Sequence, residues 1–219
     1  MVSVQGVGEA PISVASGHKR DLLFTIRSVG KVTTMIRKSR TVGIRGPYGN
    51  FWPWEDYEEI VAVTGGIGIP PIRSLIDEMR DSGRGKDLEV LYGAKTPSDL
   101  VYKEEITEWE KNLKVHTTVD SGDSRWTGKV GFVTSIIRDA TMSRNAAVFV
   151  IGPPLMMMNS VKEAIRLGFR EDRIFMSLER RMECGIGVCG HCNIGEFYVC
   201  ESGPIFNYSM VKNQKELFL

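Results

Sequence analysis

With 219 residues, 42% hydrophobic and 25% charged, the chain is long enough for one large domain or two small ones and can bury a real core. Lys and Arg total 28 against 27 Asp and Glu, so bulk charge gives no support for nucleic acid or an anionic membrane as a partner. No apolar run approaches a membrane span, and neither a repeat, a low-complexity tract nor a signal-peptide pattern is visible, so a soluble, cytoplasmic protein is the expectation.

Residues 1 to about 50 alternate apolar with small or polar side chains at Val2/Val4, Ile12/Val14, Leu22/Phe24/Ile26 and Val42/Ile44, separated by glycine-containing turns. That period predicts an antiparallel sheet or barrel. Gly30-Lys31-Val32-Thr33 follows a predicted strand and precedes a short helical stretch, so its amides and the Thr33 hydroxyl suit a phosphate; a helix cap by Thr33 is an equal alternative. Phe51-Trp52-Pro53-Trp54, followed by Glu55-Asp56, reads as a junction whose aromatics pack between domains.

The rest alternates strands with helices, the pattern of a parallel sheet with crossover helices. A strand over 60–64 runs into Gly65-Gly66-Ile67-Gly68 and a helix over 72–80, with Pro70 and Pro71 in its first turn, where a missing N–H costs nothing. Further strands are predicted over 88–92, 114–119, 147–151 and 173–176, with helices over 102–109, near 132–138 and from Gly152-Pro153-Pro154 through residue 167. These make five parallel strands. The glycine turns at 65–68 and 152 would set helix amides against a pyrophosphate in the crevice beyond the strand ends, although glycine also serves tight turns for steric reasons alone. An acidic residue roughly twenty positions past the glycines favours NAD, and Glu89 stands there, but mid-strand, where it reads as part of an exposed face. Lys95, Arg84 and Arg125 could each reach a 2′-phosphate, and Lys95 tips the expectation toward NADP over NAD. The run Met156, Met157, Met158 reads as core packing.

All four cysteines fall in one stretch, Cys184, Cys189, Cys192 and Cys200. Cys-x4-Cys-x2-Cys with a more distant fourth Cys is the plant-type [2Fe-2S] spacing. Gly185, Gly187, Gly190 and Gly195 let the backbone turn its amides toward sulfur. A zinc site would favour paired Cys-x2-Cys knuckles, of which only one exists, and disulfides belong to small secreted domains. His191, between two ligands, lacks the second histidine of a Rieske centre and reads as a solvated or hydrogen-bonding loop residue.

The order of Ala10-Pro11-Ile12-Ser13, residues 26–33, Gly46-Pro47-Tyr48-Gly49, Gly65 to Gly68, Tyr92-Gly93-Ala94-Lys95, Gly152-Pro153-Pro154 and residues 178–184 resembles the ferredoxin–NADP reductase superfamily. The cysteine loop is similar to its iron–sulfur flavoprotein branch: soluble hydrogenase (sulfhydrogenase) gamma subunits, the B subunit of anaerobic sulfite reductase and the electron-transfer subunit of dihydroorotate dehydrogenase. The resemblance implies a partial FAD-binding barrel over 1–55, an NAD(P)-binding domain over 56–177 and a [2Fe-2S] segment over 178–219. It places Pro11, Ile12 and Ser13 beside the isoalloxazine, Thr25, Ile26 and Arg27 along the flavin, and Gly30, Lys31, Val32 and Thr33 at its pyrophosphate. Gly65, Gly66, Ile67 and Gly68 would meet the nucleotide phosphates, Gly152, Pro153 and Pro154 would approach the nicotinamide, and the four cysteines would hold the cluster. No acid, base or nucleophile is called for.

Three positions depart from the family pattern: Ala10 stands where an Arg is usual, Ile151 where a Cys is common, and Met1 to Val4 begin where relatives are already inside a barrel strand. The opening strands are therefore missing from this sequence, and an upstream start is the expectation. The implied function is electron transfer between NAD(P)H, FAD and [2Fe-2S] on behalf of a catalytic partner, a soluble hydrogenase first, sulfite reductase or dihydroorotate dehydrogenase next, with ferredoxin-type subunits as further partners. The alternatives are a non-enzymatic iron–sulfur carrier or structural subunit that binds no flavin, and a zinc-stapled nucleotide-binding regulator.

Overall fold

The computed structural model describes residues 1–215 and 217, so residues 216, 218 and 219 of the expected cluster segment lie outside the described residues. The N-terminal sheet has β1 (Val2–Val4) between β2 (Gly8–Ala10) and β3 (Gly43–Ile44), both antiparallel to it, with Val2 opposite Ala10 on one side and Ile44 on the other. The strands expected around Ile12/Val14 and Leu22/Phe24/Ile26 reduce to one bridge, Val14 to Phe24. The Ala15 amide still donates to the Leu23 carbonyl at 2.8 Å, but the pairing stops there: the Leu23 amide turns to the Ser16 hydroxyl, and residues 15–17 bond to a helix, with Arg73 donating to the Ala15 carbonyl, Ser74 to the Ser16 carbonyl and the Gly17 amide to Asp77. Helix α1 (Lys31–Lys38) follows Gly30 as expected.

The second region is built from β4 (Ile60–Gly65), α2 (Ile69–Asp81), β5 (Leu88–Ala94), α3 (Lys103–Trp109), β6 (Lys114–Val119), β7 (Lys129–Val130), β8 (Ala147–Ile151), α4 (Pro154–Arg166) and β9 (Ile174–Ser177). Beyond it come β10 (Asn193–Ile194), β11 (Phe197–Tyr198), β12 (Ile205–Asn207) and α5 (Tyr208–Val211). Among the described residues the large sheet has seven strands in the order β12-β9-β8-β4-β5-β6-β7, all parallel except β12. Five strands were expected, and those five are its centre. The additions, β7 and β12, are two and three residues long, too short to carry a period.

Every residue of β4, β5 and β8 is buried, the mark of strands covered on both faces. Val61, Val63, Leu91, Val148 and Val150 meet Ile137, Met157 and Val161 on one face, and Ile60, Ala62, Tyr92 and Phe149 meet Ile69, Ile72 and Trp52 on the other. Met157 is core, as expected of the methionine run. The helix expected near 132–138 is a 3-10 turn over Val133–Asp139, because Ser135 and Arg138 side chains bond to the carbonyls of Phe132 and Ser135 and compete with the α ladder. None of the helices among the described residues is long and apolar enough to cross a membrane.

Candidate functional site

Strand order reverses between β4 and β8, since the chain grows outward from β4 through β5 to β7 and then returns to β8 and β9. Such a switch point opens a crevice beyond the carboxyl ends of the strands, where ligands of open α/β sheets sit. Both glycine turns meet there. A Cβ on Gly65 would stand 2.4 Å from the Met156 sulfur, one on Gly68 would stand 2.9 Å from the Ile151 carbonyl oxygen, and one on Gly152 would stand 3.2 Å from the Gly65 nitrogen. Larger residues would force the turns apart. Gly66, by contrast, has a positive φ of 54° and open space where its Cβ would be, with Ile67 partly exposed beside it. Pro153 and Pro154 are exposed at the start of α4. Thr64, the last side chain before the first glycine, buries a hydroxyl that has no partner.

Lys95 lies exposed at the end of β5, beside Asp120, whose carboxyl is pushed up by burial while Lys95 pulls it down. Arg125 is also exposed, paired loosely with Asp123 at 3.6 Å. Arg84 does not approach the crevice: its guanidinium is committed to the Tyr57 and Glu58 carbonyls, at the opposite, amino end of β4. Glu89 is a second correction. It is fully buried rather than on an exposed face, accepting from His116 at 2.8 Å, from the Thr141 amide at 2.8 Å and from the Met142 amide at 3.1 Å. It ties the loop before β8 to the sheet and is far from the role of a ribose ligand.

In the N-terminal region, Pro11 and Ser13 are exposed in extended chain, and Ile12 is half-buried. The Thr25 hydroxyl bonds to the Tyr102 hydroxyl, Arg27 lies 3.7 Å from Asp99, and Ile26 is half-buried between them. These contacts bring 25–27 against the loop after β5. The Thr33 hydroxyl is taken up locally, accepting from the Val29 and Gly30 amides at 3.0 Å each, so the cap reading describes that side chain and only the backbone of 30–33 remains for a phosphate. No side chain occupies the space a Cβ on Gly30 would fill.

The cysteine loop holds Gly185, Gly187, Gly190 and Gly195 at φ of 81°, 72°, 76° and 57°, conformations that glycine adopts without strain. The thiols stand as two interacting pairs, Cys184 with Cys189 and Cys192 with Cys200. The first pair is half-buried and the second buried. Backbone amides of Ile186 and Cys189 hold the Cys184 thiol below its ordinary value, and those of His191 and Cys184 do the same for Cys189. Burial and the neighbouring Cys192 push Cys200 up to about 11, against a 3.2 Å bond from the Gly187 amide. Among the described residues no three His, Cys, Asp or Glu side chains converge on a single-ion position. Two thiol pairs ringed by amide donors instead fit a centre of two irons with two thiolates each. The His191 side chain is about half exposed and lies 3.7 Å from Glu183, the solvated side of the expectation.

Sequence reasoning passed over the residues that seat this loop. Arg45 donates to the Cys184 carbonyl at 2.7 Å, to the Glu183 carbonyl, to the Tyr48 hydroxyl at 2.8 Å and to the Glu9 carboxylate. The Tyr48 ring lies 3.0 Å from where a Gly185 Cβ would be. Asn50 accepts from the Ile205 amide at 2.9 Å and donates to the Ser202 and Ile205 carbonyls. Glycines flanking Pro47 and Tyr48 signalled a close approach of backbone but not its partner.

The model of the oxidoreductase NAD-binding domain matches residues 62–163, and that of the iron–sulfur cluster binding domain of dihydroorotate dehydrogenase B matches residues 179–212, which contain all four cysteines. Sulfhydrogenase 1 subunit gamma of Pyrococcus furiosus is 35% identical over 94% of this chain and 77% of its own length. A probable dihydroorotate dehydrogenase B (NAD(+)) electron transfer subunit of Thermococcus kodakarensis is 31% identical over 94% of this chain and 82% of its own. A solved NADH-dependent reduced ferredoxin-NADP oxidoreductase superposes with a TM-score of 0.79 at 26% identity, over 99% of this chain and 78% of the other.

Proposed function

We infer the function from kinship: this chain belongs to the electron-transfer subunits of the sulfhydrogenase gamma and dihydroorotate dehydrogenase B kind, within the ferredoxin–NADP reductase superfamily. It is an NAD(P)H-dependent oxidoreductase working with NAD(P), FAD and an iron–sulfur cluster as part of a larger complex. When bound, the nicotinamide supplies electrons as a hydride, FAD converts pairs to single electrons, and a [2Fe-2S] centre conveys them singly.

The chain's own residues bind and orient. Gly65, Gly66, Ile67 and Gly68, with Gly152, Pro153 and Pro154, form the floor for the dinucleotide, a reading supported by the nesting of the two turns and the open space over Gly66. Lys95, exposed at the end of β5, supports NADP over NAD. Its replacement by Ala should raise KM for NADPH about tenfold and spare NADH; equal loss with both nucleotides argues against it. Pro11 to Ser13, Thr25 to Arg27 and the backbone of Gly30 to Thr33 serve FAD, with residues 1–55 as a partial barrel, 56–177 as the nucleotide domain and 178–219 as the cluster segment. A hydrogenase-like catalytic subunit is the partner proposed, with those of sulfite reductase and dihydroorotate dehydrogenase next in order. Four free thiols suit a reducing, cytoplasmic setting.

The observation that carries this reading is the two-pair thiol loop joined, in one chain, to a double glycine turn at a switch point. Under argon, the purified chain should contain iron, acid-labile sulfide and flavin, and NADH or NADPH should bleach both flavin and cluster bands. Zinc without iron, or a cluster band that needs an external reductase to bleach, contradicts it.

A further inference from the structure

The peptide units of the cysteine loop are clamped from outside the loop. Arg45, which precedes the Gly46 to Gly49 turn, sends two nitrogens of one guanidinium to two successive carbonyls, those of Glu183 and Cys184. Its remaining donors go to Tyr48 and Glu9, so every edge of the planar group is used, and Arg45 also stacks over the Tyr48 ring at 5.2 Å. Tyr48 in turn closes over Gly185, leaving no room for a side chain there.

In a trans peptide the N–H points opposite to its C=O. Holding the Glu183 carbonyl therefore turns the Cys184 N–H away from Arg45, and that N–H is one of the donors to the Cys189 sulfur. Holding the Cys184 carbonyl fixes the plane of the peptide that enters Gly185 in the same way, at a glycine that takes a φ of 81°. A contact between Arg45 and Cys189 is thus unnecessary. The guanidinium acts on sulfur through one rigid peptide plane.

We propose that Arg45 is a positioning residue that aims the Cys184 amide of the cysteine loop at the Cys189 sulfur and so sets the electron affinity of the cluster from the neighbouring segment. This rests on the four thiols holding a cluster. Hydrogen bonds to the sulfurs and net charge nearby are what tune an iron–sulfur potential. Donors pointed at sulfur favour the reduced, more negative state. A lysine at this position keeps the charge but, as a single point donor, cannot span two carbonyls and a carboxylate in one plane.

The test is an EPR-monitored redox titration of the cluster-loaded protein, paired with amide hydrogen exchange of the loop in protein stripped of iron. Arg45→Met should lower the midpoint potential of the cluster and leave bleaching of the flavin by NAD(P)H at its wild-type rate. Arg45→Lys should fall in the same direction, without recovering the wild-type potential. Glu9→Gln, which leaves both carbonyl bonds in place and removes a negative charge, should hold the potential at or above wild type. In iron-free protein the Cys184 and Gly185 amides should exchange about tenfold faster in Arg45→Met and Arg45→Lys. An unchanged potential in Arg45→Met, or full recovery in Arg45→Lys, overturns the proposal; the latter would leave charge alone as the cause. Should Arg45→Met not fold, Arg45→Lys decides it by a potential below wild type, with Glu9→Gln as the control whose potential does not fall. Wild-type protein that binds no cluster would defeat the underlying assignment, while the exchange rates would still judge the clamp.

Discussion

In the central sheet every residue of β4, β5 and β8 is buried, whereas between Cys184 and Gly190 only Gly185 is. The sheet is held by apolar area removed from water, a force that needs no particular partner and is shared over many contacts. The stretch from Cys184 to Gly190 is held by a few directed bonds, from Arg45 and its own amides, and by glycines without which the turns would be strained, while Cys192 and Cys200 beyond it join the buried core. The first region fixes where the glycine turns lie; the second leaves its shape open to neighbours and to what the thiols bind. Damage to either should therefore look different.

The largest expected effect breaks the loop and spares the sheet. Cys184→Ser removes one of four thiolates at a half-buried position, so iron and sulfide should fall from about two each per chain toward zero while the thermal transition of the sheet holds. Undiminished iron content would show that Cys184 is no ligand. Phe149→Ala does the reverse. That ring is fully buried, stacked 4.8 Å from Trp52 and edge-on to Phe175 at 5.7 Å. Its loss should cost about 3–5 kcal/mol and lower Tm by roughly ten degrees, measured calorimetrically, with iron per folded chain unchanged.

A smaller effect sits where the sheet meets the crevice. The Tyr92 phenol is pushed up to about 12 by burial, while its oxygen accepts from the Val101 amide and it donates to the Gly66 carbonyl. In the unfolded chain it ionises near 10, so the folded state keeps a proton that the unfolded state has lost. Stability is whole below pH 10 and should decline by about 2–3 kcal/mol as pH rises to 12. Tyr92→Phe should flatten that decline in denaturant titrations at successive pH values. An equal slope in the variant would assign it to other groups. Smallest is Gly185→Ala, where a left-handed φ and the Tyr48 ring together cost about 1–2 kcal/mol. It should loosen the loop and speed loss of iron to a chelator, with Tm of the sheet unmoved.

The difference between the two regions also governs what could be read from sequence. β4 and its turn were legible because an unbroken apolar run ends in glycine, and β8 with Gly152 repeats the signal. The spacing of the four cysteines was legible because the ligands of one centre lie close along the chain. Glu89 was misread because its partners, His116 and the Thr141 and Met142 amides, come from 27, 52 and 53 residues away, and without them a strand carboxylate looks exposed. Arg45 left no trace at all, since its carbonyl partners lie 138 and 139 residues on and backbone acceptors have no sequence signature. The pairing around Val14 and Phe24 stopped short for a related reason: helix side chains, absent from any local pattern, took the backbone bonds of residues 15–17. Local periods announce burial, and they are silent about directed bonds between distant segments.

The most direct measurement is the low-temperature EPR spectrum of anaerobically purified protein before and after NADPH or NADH. The account predicts silence before, and afterwards the signal of one reduced [2Fe-2S] centre per chain, lost in Cys184→Ser. No signal with either nucleotide from a sample shown to contain flavin, iron and sulfide would contradict it.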